Sequence, residues 1–242
     1  MKNVIIYLMT FFAVIFVSTS CEKEKAFEPK QLKVLVMGSV SNVNYLVDVK
    51  NKIDSTNLFV QVDTFNIYKQ VPTTDLLNQY NAVFVFTDNG ALDSEATGNA
   101  LAEYIEAGGG VVNAVFSGNV TLIGNFTNYA IITASGQKSG IVRTLGSVTD
   151  TQHTIMKNIL NFNGGQSSYN NIITGIDEGA VILAKYDNDD PFIIIKENVG
   201  PQNAKRVFLN FYPPSRDVRD DFWDTTTDGA LIMGYSLSWV AK

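Results

Sequence analysis

Residues 80–116 read YNAVFVFTDNGALDSEATGNALAEYIEAGGGVVNAVF, and this stretch decides the fold. A short apolar run at 83–86 is followed by a helix-like segment at 93–107 and by a second apolar run at 110–116. Asp93 is a favourable N-cap, and the glycine triplet at the end of the segment stops the helix and begins the next strand. Short apolar runs without polar alternation predict strands that are buried on both faces, as in parallel sheets covered by helices.

The same pattern extends to both sides of this stretch. Further apolar runs predict strands at 33–38 and 59–62, and weaker periodicity predicts helices at 43–53 and 75–79. Short strands are predicted in the second half at 130–133, 140–145, 180–184, 191–195 and 206–211, with at most a short helix at 154–160 and a closing helix at 227–240. The sequence therefore predicts a doubly wound, mainly parallel α/β sheet of flavodoxin-like type, flanked by helices, with extra β hairpins in the second half.

Composition excludes several classes of function. The chain has 242 residues, a net charge of −6, one Cys and one His. A net negative charge makes nucleic acid an unsuitable partner, because nucleic-acid binding relies on clustered Lys and Arg. A single Cys excludes a disulfide framework and a zinc–thiolate site. We therefore expect no nucleic-acid partner, no metal ion and no cofactor.

The first 31 residues predict an export signal and a lipid anchor. Lys2 precedes an apolar run at 4–17, which is shorter than the ~20 residues of a membrane span but typical of a signal peptide. Small residues then lead to Cys21, so residues 1–20 resemble a bacterial lipoprotein signal with a loose lipobox, Ser18 standing where Leu is usual. The alternative is an ordinary secretory signal. We expect acyl chains on Cys21 to anchor the protein in the membrane.

A short polar tether, 21–31, separates this anchor from a single domain at 32–242. The tether begins Cys21-Glu22-Lys23-Glu24-Lys25, and charged residues directly after the acylated Cys resemble the surface-export signals of lipoproteins in the Bacteroidota. The expected location is the cell envelope, on the outer membrane, with exposure at the cell surface as one of two options. The choice between its periplasmic and outer faces stays open.

The segments 80–86 and 100–112 resemble class I glutamine amidotransferase-like domains, and ThuA-like proteins share the pattern. In that family a "Tyr-Asp-apolar" strand is followed by a helix that ends in a glycine triplet and by a strand leading to a nucleophile elbow. The segments 152–157, 206–214 and 227–231 are similar to later segments of extracellular relatives. The resemblance covers roughly 32–241 and implies the fold more strongly than any activity.

The resemblance also implies a missing nucleophile. Family amidotransferases carry a Gly-x-Cys-x-Gly elbow, whereas this chain has 113–118, in which Ala114, Val115 or Phe116 takes the Cys position. The His-x-Glu pair expected near the chain end is also absent, because the sole His is His153. Glutamine hydrolysis by the Cys-His-Glu mechanism is therefore excluded, and a pseudoenzyme is expected.

One alternative catalytic arrangement can be drawn from the sequence. Ser117 follows the old nucleophile position, and Asp150 and His153 are close enough in sequence to contact each other, so a Ser–His–Asp arrangement is conceivable. A Ser-Gly pair after a strand is, however, typical of a turn. This alternative would make the protein a hydrolase or a sugar-modifying enzyme.

Aromatic and polar loop residues suggest a binding site instead. Tyr212 and Trp223, with Phe211, could form an aromatic platform at the end of the sheet, although core packing is the better explanation for aromatic residues in such a loop. Asn163 and Tyr169 belong to a polar, Gly-rich segment that could line the crevice at the carboxyl ends of parallel strands. The main hypothesis is a binding or structural module for a glycan or an envelope protein.

Two acidic segments predict solvated loops rather than metal sites. The segment 187–190 lacks the Gly and distal Glu of a calcium loop and predicts a hairpin turn. The aspartates at 217, 220, 221 and 224 alternate with Arg216 and Arg219, and such mixed charges favour solvent exposure.

Overall fold

The computed structural model describes residues 31–117 and 122–242. The predicted signal peptide, Cys21 and all of the tether except residue 31 lie outside these ranges. Within the described ranges, no helix combines the length and the apolar character needed to cross a bilayer.

The central sheet has eight strands in the order β2-β1-β3-β4-β10-β9-β8-β6. Its parallel half consists of β1 (Lys33–Ser39), β2 (Gln61–Asn66), β3 (Ala82–Thr87), β4 (Gly110–Ala114) and β10 (Ala204–Leu209). Its antiparallel half consists of β9 (Pro191–Val199), β8 (Val181–Tyr186) and β6 (Leu145–Val148). A separate antiparallel pair joins β5 (Ile132–Lys138) to β7 (Asn170–Ile176). The predicted doubly wound α/β fold with additional hairpins is confirmed.

Helices cover both faces of the parallel half. They are α1 (Val43–Asp54), α2 (Thr74–Leu77), α3 (Ser94–Glu106), α4 (Gly229–Val240) and a 3-10 helix (Gly124–Tyr129). Alternate residues of each strand point to opposite faces. Val36 and Phe84 therefore join the core beneath α1 and α4, whereas Met37 and Val85 join the core beneath α3. Every residue of β3 and β4 is buried, which confirms the interpretation of the apolar runs.

The helix over 93–107 follows the prediction closely. α3 begins at Ser94, and the side chain of Asp93 accepts a hydrogen bond from the backbone N–H of Ala96 at 2.9 Å. This bond satisfies one of the N–H groups that a helix N-terminus leaves unpaired.

The second half departs from the prediction in three places. The strand expected at 140–145 is wrong: only residue 145 belongs to a strand, which continues to Val148. The segment at 154–160 forms turns rather than a helix. β7 was missed, because its Asn-Asn start and Gly175 resemble a loop and its only partner is β5, outside the main sheet.

We expect Gly98→Ala to destabilise the protein by about 1–3 kcal/mol. Helix propensity alone would favour Ala at this position of α3 by ~1 kcal/mol. A Cβ at Gly98 would, however, lie 1.8 Å from the carbonyl oxygen of Ile123, where the 3-10 segment crosses the helix. Backbone atoms cannot yield as a flexible side chain can, so this clash outweighs the propensity gain. Urea denaturation measures the difference in the free energy of unfolding.

The matched control is Gly90→Ala, because a Cβ at Gly90 meets no atom within 4 Å. It should change the free energy of unfolding by less than about 0.5 kcal/mol. A Gly98→Ala variant as stable as this control would show that the close crossing of the two helices is not needed for stability.

Buried tyrosines predict a loss of stability at alkaline pH. Burial, with a hydrogen bond to Asp63, raises the pKa of Tyr80 to about 12, and burial also raises the pKa values of Tyr104 and Tyr186. Ionisation of these hydroxyls is disfavoured only in the folded chain, so their stabilisation is complete below about pH 10 and is lost as the pH rises. Burial lowers the pKa of Arg206 to about 9 and also lowers the pKa of Lys242, and these two groups oppose the trend.

The pH dependence of urea denaturation between about pH 9 and 11 tests this expectation. Tyr104→Phe should make stability fall less steeply with pH than in the wild type, because the hydroxyl that must stay protonated is gone. Tyr68→Phe is the control, since Tyr68 is 41% exposed and should leave the slope unchanged. Identical slopes for all three proteins would contradict the expectation.

Candidate functional site

A cavity of about 510 Å³ opens at the carboxyl ends of β3, β4 and β10. This is the edge at which open α/β sheets usually bind ligands. The described residues that line it are Thr87, Asp88, Asn89, Gly90, Ser94, Phe116, Gln137, Tyr169, Tyr212, Arg219 and Phe222. No Cys or His is among these lining residues.

The polar floor is the segment from Asp88 to Gly90, which directly follows β3. The backbone N–H groups of Asp88 and Asn89 both donate to the carbonyl of Ser39 at 2.9 Å, and the Ser39 hydroxyl donates to the carbonyl of Gly90 at 2.9 Å. The end of β1 thus holds this segment in place. The Asn89 amide donates to the Asp88 carboxylate at 3.1 Å, which orients the carboxylate of an otherwise exposed residue.

Four aromatic rings form another part of the cavity wall. Phe116 lies 5.6 Å from both Tyr169 and Tyr212, and Tyr212 lies 5.1 Å from Phe222, measured between ring centroids. Most of these contacts are edge-to-face, the arrangement that ring quadrupoles favour. Tyr212 and Phe222 are buried, whereas Phe116 and Tyr169 are partly exposed, so the last two offer apolar surface to a ligand.

The hydroxyl of Tyr212 is buried and lies beside the Asp88 carboxylate. Burial is the main cause that raises its pKa, and the nearby Asp88 carboxylate raises it further. The group therefore stays protonated.

The loop that carries Arg219 and Phe222 is fixed to α1. Asp48 accepts hydrogen bonds from the backbone N–H and the hydroxyl of Ser215, at 2.7 and 3.1 Å. Burial raises the pKa of Asp48, and the two Ser215 hydrogen bonds oppose that shift. The guanidinium of Arg219 lies 4.8 Å from the centre of the Phe222 ring, so Arg219 covers this ring at the cavity edge.

Of the predicted binding residues, the cavity brings together Tyr212 and Tyr169, with centroids 6.1 Å apart. Trp223 does not line it: the side chain is 2% exposed, and its indole N–H donates to the carbonyl of Pro213 at 2.6 Å. Asn163 does not line it either, because its side-chain oxygen accepts from the N–H of Gly165 and holds a loop. Trp223 is thus explained by core packing.

Ser117 is fully buried, and its hydroxyl is already used. It donates towards the carbonyls of Val85 and Ala114, at 2.9 and 2.7 Å, and accepts from Asn113 at 3.4 Å. A serine held in this way is not available to attack a substrate. Across residues 31–117 and 122–242, no hydrogen bond, ion pair or ring contact joins Ser117 to His153 or Asp150.

His153 lies towards the other end of the sheet. Its ring is 5.2 Å from that of Trp239, which also contacts Lys205. Lys205 precedes Arg206, the partner of Val111 near the start of β4, whereas Ser117 follows the end of that strand. Asp150 accepts a backbone hydrogen bond from His153 at 3.3 Å, and burial lowers the pKa of His153.

The acidic segments behave as solvated turns. Residues 187–190 connect β8 to β9, which confirms the predicted hairpin turn. In the other acidic loop, Asp221 pairs with Arg219 and Asp224 pairs with Arg216. In the part of the chain that the structure describes, no three His, Cys, Asp or Glu side chains are grouped to hold a metal ion.

Several lining residues were not predicted from the sequence, among them Asp88, Asn89 and Gln137. A signal for the first two was present, because the polar Asp88-Asn89-Gly90 directly follows a fully buried strand. Polar residues at that point of a parallel strand lie at the ligand-binding edge. Gln137 gave no such signal, since it reaches the cavity from β5, outside the main sheet.

Comparisons with known proteins support the fold alone. No family model and no curated protein sequence match the chain. A ThuA-like protein from Bacteroides uniformis superposes with a TM-score of 0.57 at 16% identity, covering 87% of this chain and 91% of that one. A glutamine amidotransferase from Thermotoga maritima superposes with a TM-score of 0.53 at 10% identity, covering 79% and 80% of the two chains.

A cold-adapted β-galactosidase from Rahnella sp. R3 is also similar in structure. Its TM-score is 0.56 at 13% identity, and the match covers 87% of this chain but only 32% of the galactosidase. The chain therefore spans about a third of that enzyme's length. Together these structures establish a ThuA-like and glutamine amidotransferase-like fold.

Proposed function

We propose that the chain is a lipid-anchored protein of the cell envelope whose amidotransferase-like domain has lost catalysis and binds a glycan. The observation that carries the proposal is the cavity at the strand ends, in which partly exposed aromatic rings face a carboxylate and amides. Its volume falls within the about 300–1,000 Å³ of small-molecule sites.

The chemistry of the walls suits a sugar. The apolar face of a sugar ring can lie on Phe116 or Tyr169, while its hydroxyls can pair with Asp88, Asn89 and Gln137. A protein partner is the other possibility that the sequence left open, and it would need to insert a side chain into the same cavity.

The proposed loss of catalysis is inferred from the segment that takes the place of the nucleophile elbow. Residues 114–116 offer no nucleophile, and Phe116 itself lines the cavity. Ser117 is buried, with its hydroxyl engaged. The described lining residues can therefore bind a ligand, but none of them is an activated nucleophile.

The proposal predicts saturable binding of oligosaccharides without turnover. The full-length chain in detergent micelles is titrated calorimetrically with a panel of neutral, amino and acidic oligosaccharides, and the products are analysed after long incubation. At least one class should bind and be recovered intact, and Phe116→Cys should show no glutaminase activity. Hydrolysis of glutamine or of a bound saccharide by the wild type would overturn the proposal, and so would a panel in which nothing binds.

The anchor is tested separately by fractionation of cells. Wild-type protein should sediment with membranes and enter the detergent phase, whereas Cys21→Ser should leave the membrane because acyl chains provide the attachment. An unchanged distribution of Cys21→Ser would show that Cys21 is not the attachment point.

A further inference from the structure

Given the proposed glycan-binding function, the charge inside the cavity determines which class of glycan binds there. Asp88 is exposed and lines the floor, and no cation is paired with it among the described residues. Its polar partners are the Asn89 amide at 3.1 Å and the Tyr212 hydroxyl, which are neutral and leave the negative charge uncompensated.

The cationic residue at the cavity is already neutralised. The Nη2 of Arg219 donates a hydrogen bond to the Asp221 carboxylate at 2.8 Å, and its Nε lies 2.7 Å from the other carboxylate oxygen. This two-point geometry is the strong form of an arginine–carboxylate pair. Asp221 also accepts a hydrogen bond from Ser167, so the carboxylate is held in place as the partner of Arg219.

The N-terminus of α3 reaches the cavity through Ser94 and carries a partial positive charge. Two carboxylates compensate for it: Asp93 caps the helix, and Glu95 lies in the first turn. The uncompensated charge on the cavity wall is therefore that of Asp88. The net charge of −6 on the chain reinforces this sign.

Partly exposed aromatic rings in the same cavity as a carboxylate without a cationic partner favour a cation. The π-faces of Phe116 and Tyr169 attract an ammonium group, and Asp88 pairs with it directly. We infer that the cavity selects glycans that carry a free amino group, such as de-N-acetylated hexosamine oligomers, and that Asp88 is the residue that binds this amino group. Acidic glycans are repelled by the same carboxylate.

The test compares two tetrasaccharides that differ only in acetylation. The full-length chain in micelles is titrated with chitotetraose and with its fully de-N-acetylated form at about pH 6, where the sugar amines are protonated. The amino form should bind about tenfold more tightly or better, a gain typical of a charge-assisted hydrogen bond. A tri-galacturonate should bind more weakly than chitotetraose.

Asp88→Asn should bring the affinity ratio of the two tetrasaccharides to about one. The matched control is Glu178→Gln, an exposed carboxylate in the turn between β7 and β8, which should keep the wild-type ratio. Equal affinities in the wild type, or a preference that survives in Asp88→Asn, would overturn the inference and leave the proposed function standing. If no saccharide binds at all, the proposed function fails, and this inference fails with it.

Discussion

Substituting Gly90→Trp is expected to abolish glycan binding while the protein remains folded. Gly90 lines the cavity, its backbone does not adopt the left-handed conformation, and a Cβ there would meet no atom within 4 Å. A Trp side chain at this position starts in open space at the cavity, so we expect the indole to occupy the volume that a ligand needs. We expect an affinity loss of about 30-fold or more, equivalent to about 2 kcal/mol.

The control for this variant is Leu160→Trp, which adds the same ring at an 85% exposed position outside the cavity. Calorimetric titration of both variants with the saccharide that binds the wild type best measures the effect, and circular dichroism verifies the fold. If Gly90→Trp binds as tightly as Leu160→Trp, the ligand lies elsewhere on the protein.

The second large effect is expected at Asn210, which follows β10 and links two further strands. Its fully buried side chain accepts from the N–H of Asn171 at 2.7 Å and donates to the carbonyls of Pro191 and Asn171, at 2.8 and 3.3 Å. It thereby joins β7 of the small sheet to β9 of the large one. Asn210→Leu leaves these backbone groups buried and unpaired, at a cost of roughly 1–3 kcal/mol each.

We therefore expect Asn210→Leu to lower the free energy of unfolding by about 3 kcal/mol or more. Asn128→Leu, the same change at an exposed position, should stay within about 0.5 kcal/mol of the wild type. Urea denaturation of the two variants provides the comparison. A loss below about 1 kcal/mol at Asn210 would mean that water or a shifted backbone satisfies the exposed groups.

The β3–α3–β4 unit could be predicted from sequence because its signals are local. Asp93 caps the helix, the glycines end it, and the flanking apolar runs are buried along their whole length. β7 could not, since its seven residues look polar at the start and gain their regularity only by pairing with β5. Local pattern does not encode a partner that lies more than thirty residues away.

The site was harder to predict for the same reason. Tyr169 and Tyr212 were identified from their loops, but Arg219 and Gln137 reach the cavity from segments that only the tertiary fold brings together. Trp223 was predicted as a binding residue but packs in the core. An aromatic residue in a polar loop gives the same sequence pattern whether it faces solvent or the core. Its indole hydrogen bond to Pro213 is a tertiary feature that no sequence pattern reveals.

A crystal structure of the full chain with a bound amino-oligosaccharide would test the central claim most directly. We expect a sugar ring against Phe116 and Tyr169, with its amino group within hydrogen-bond distance of the Asp88 carboxylate. A saccharide bound on any other surface, or one cleaved in the cavity, would contradict the account of a glycan-binding module that has lost catalysis.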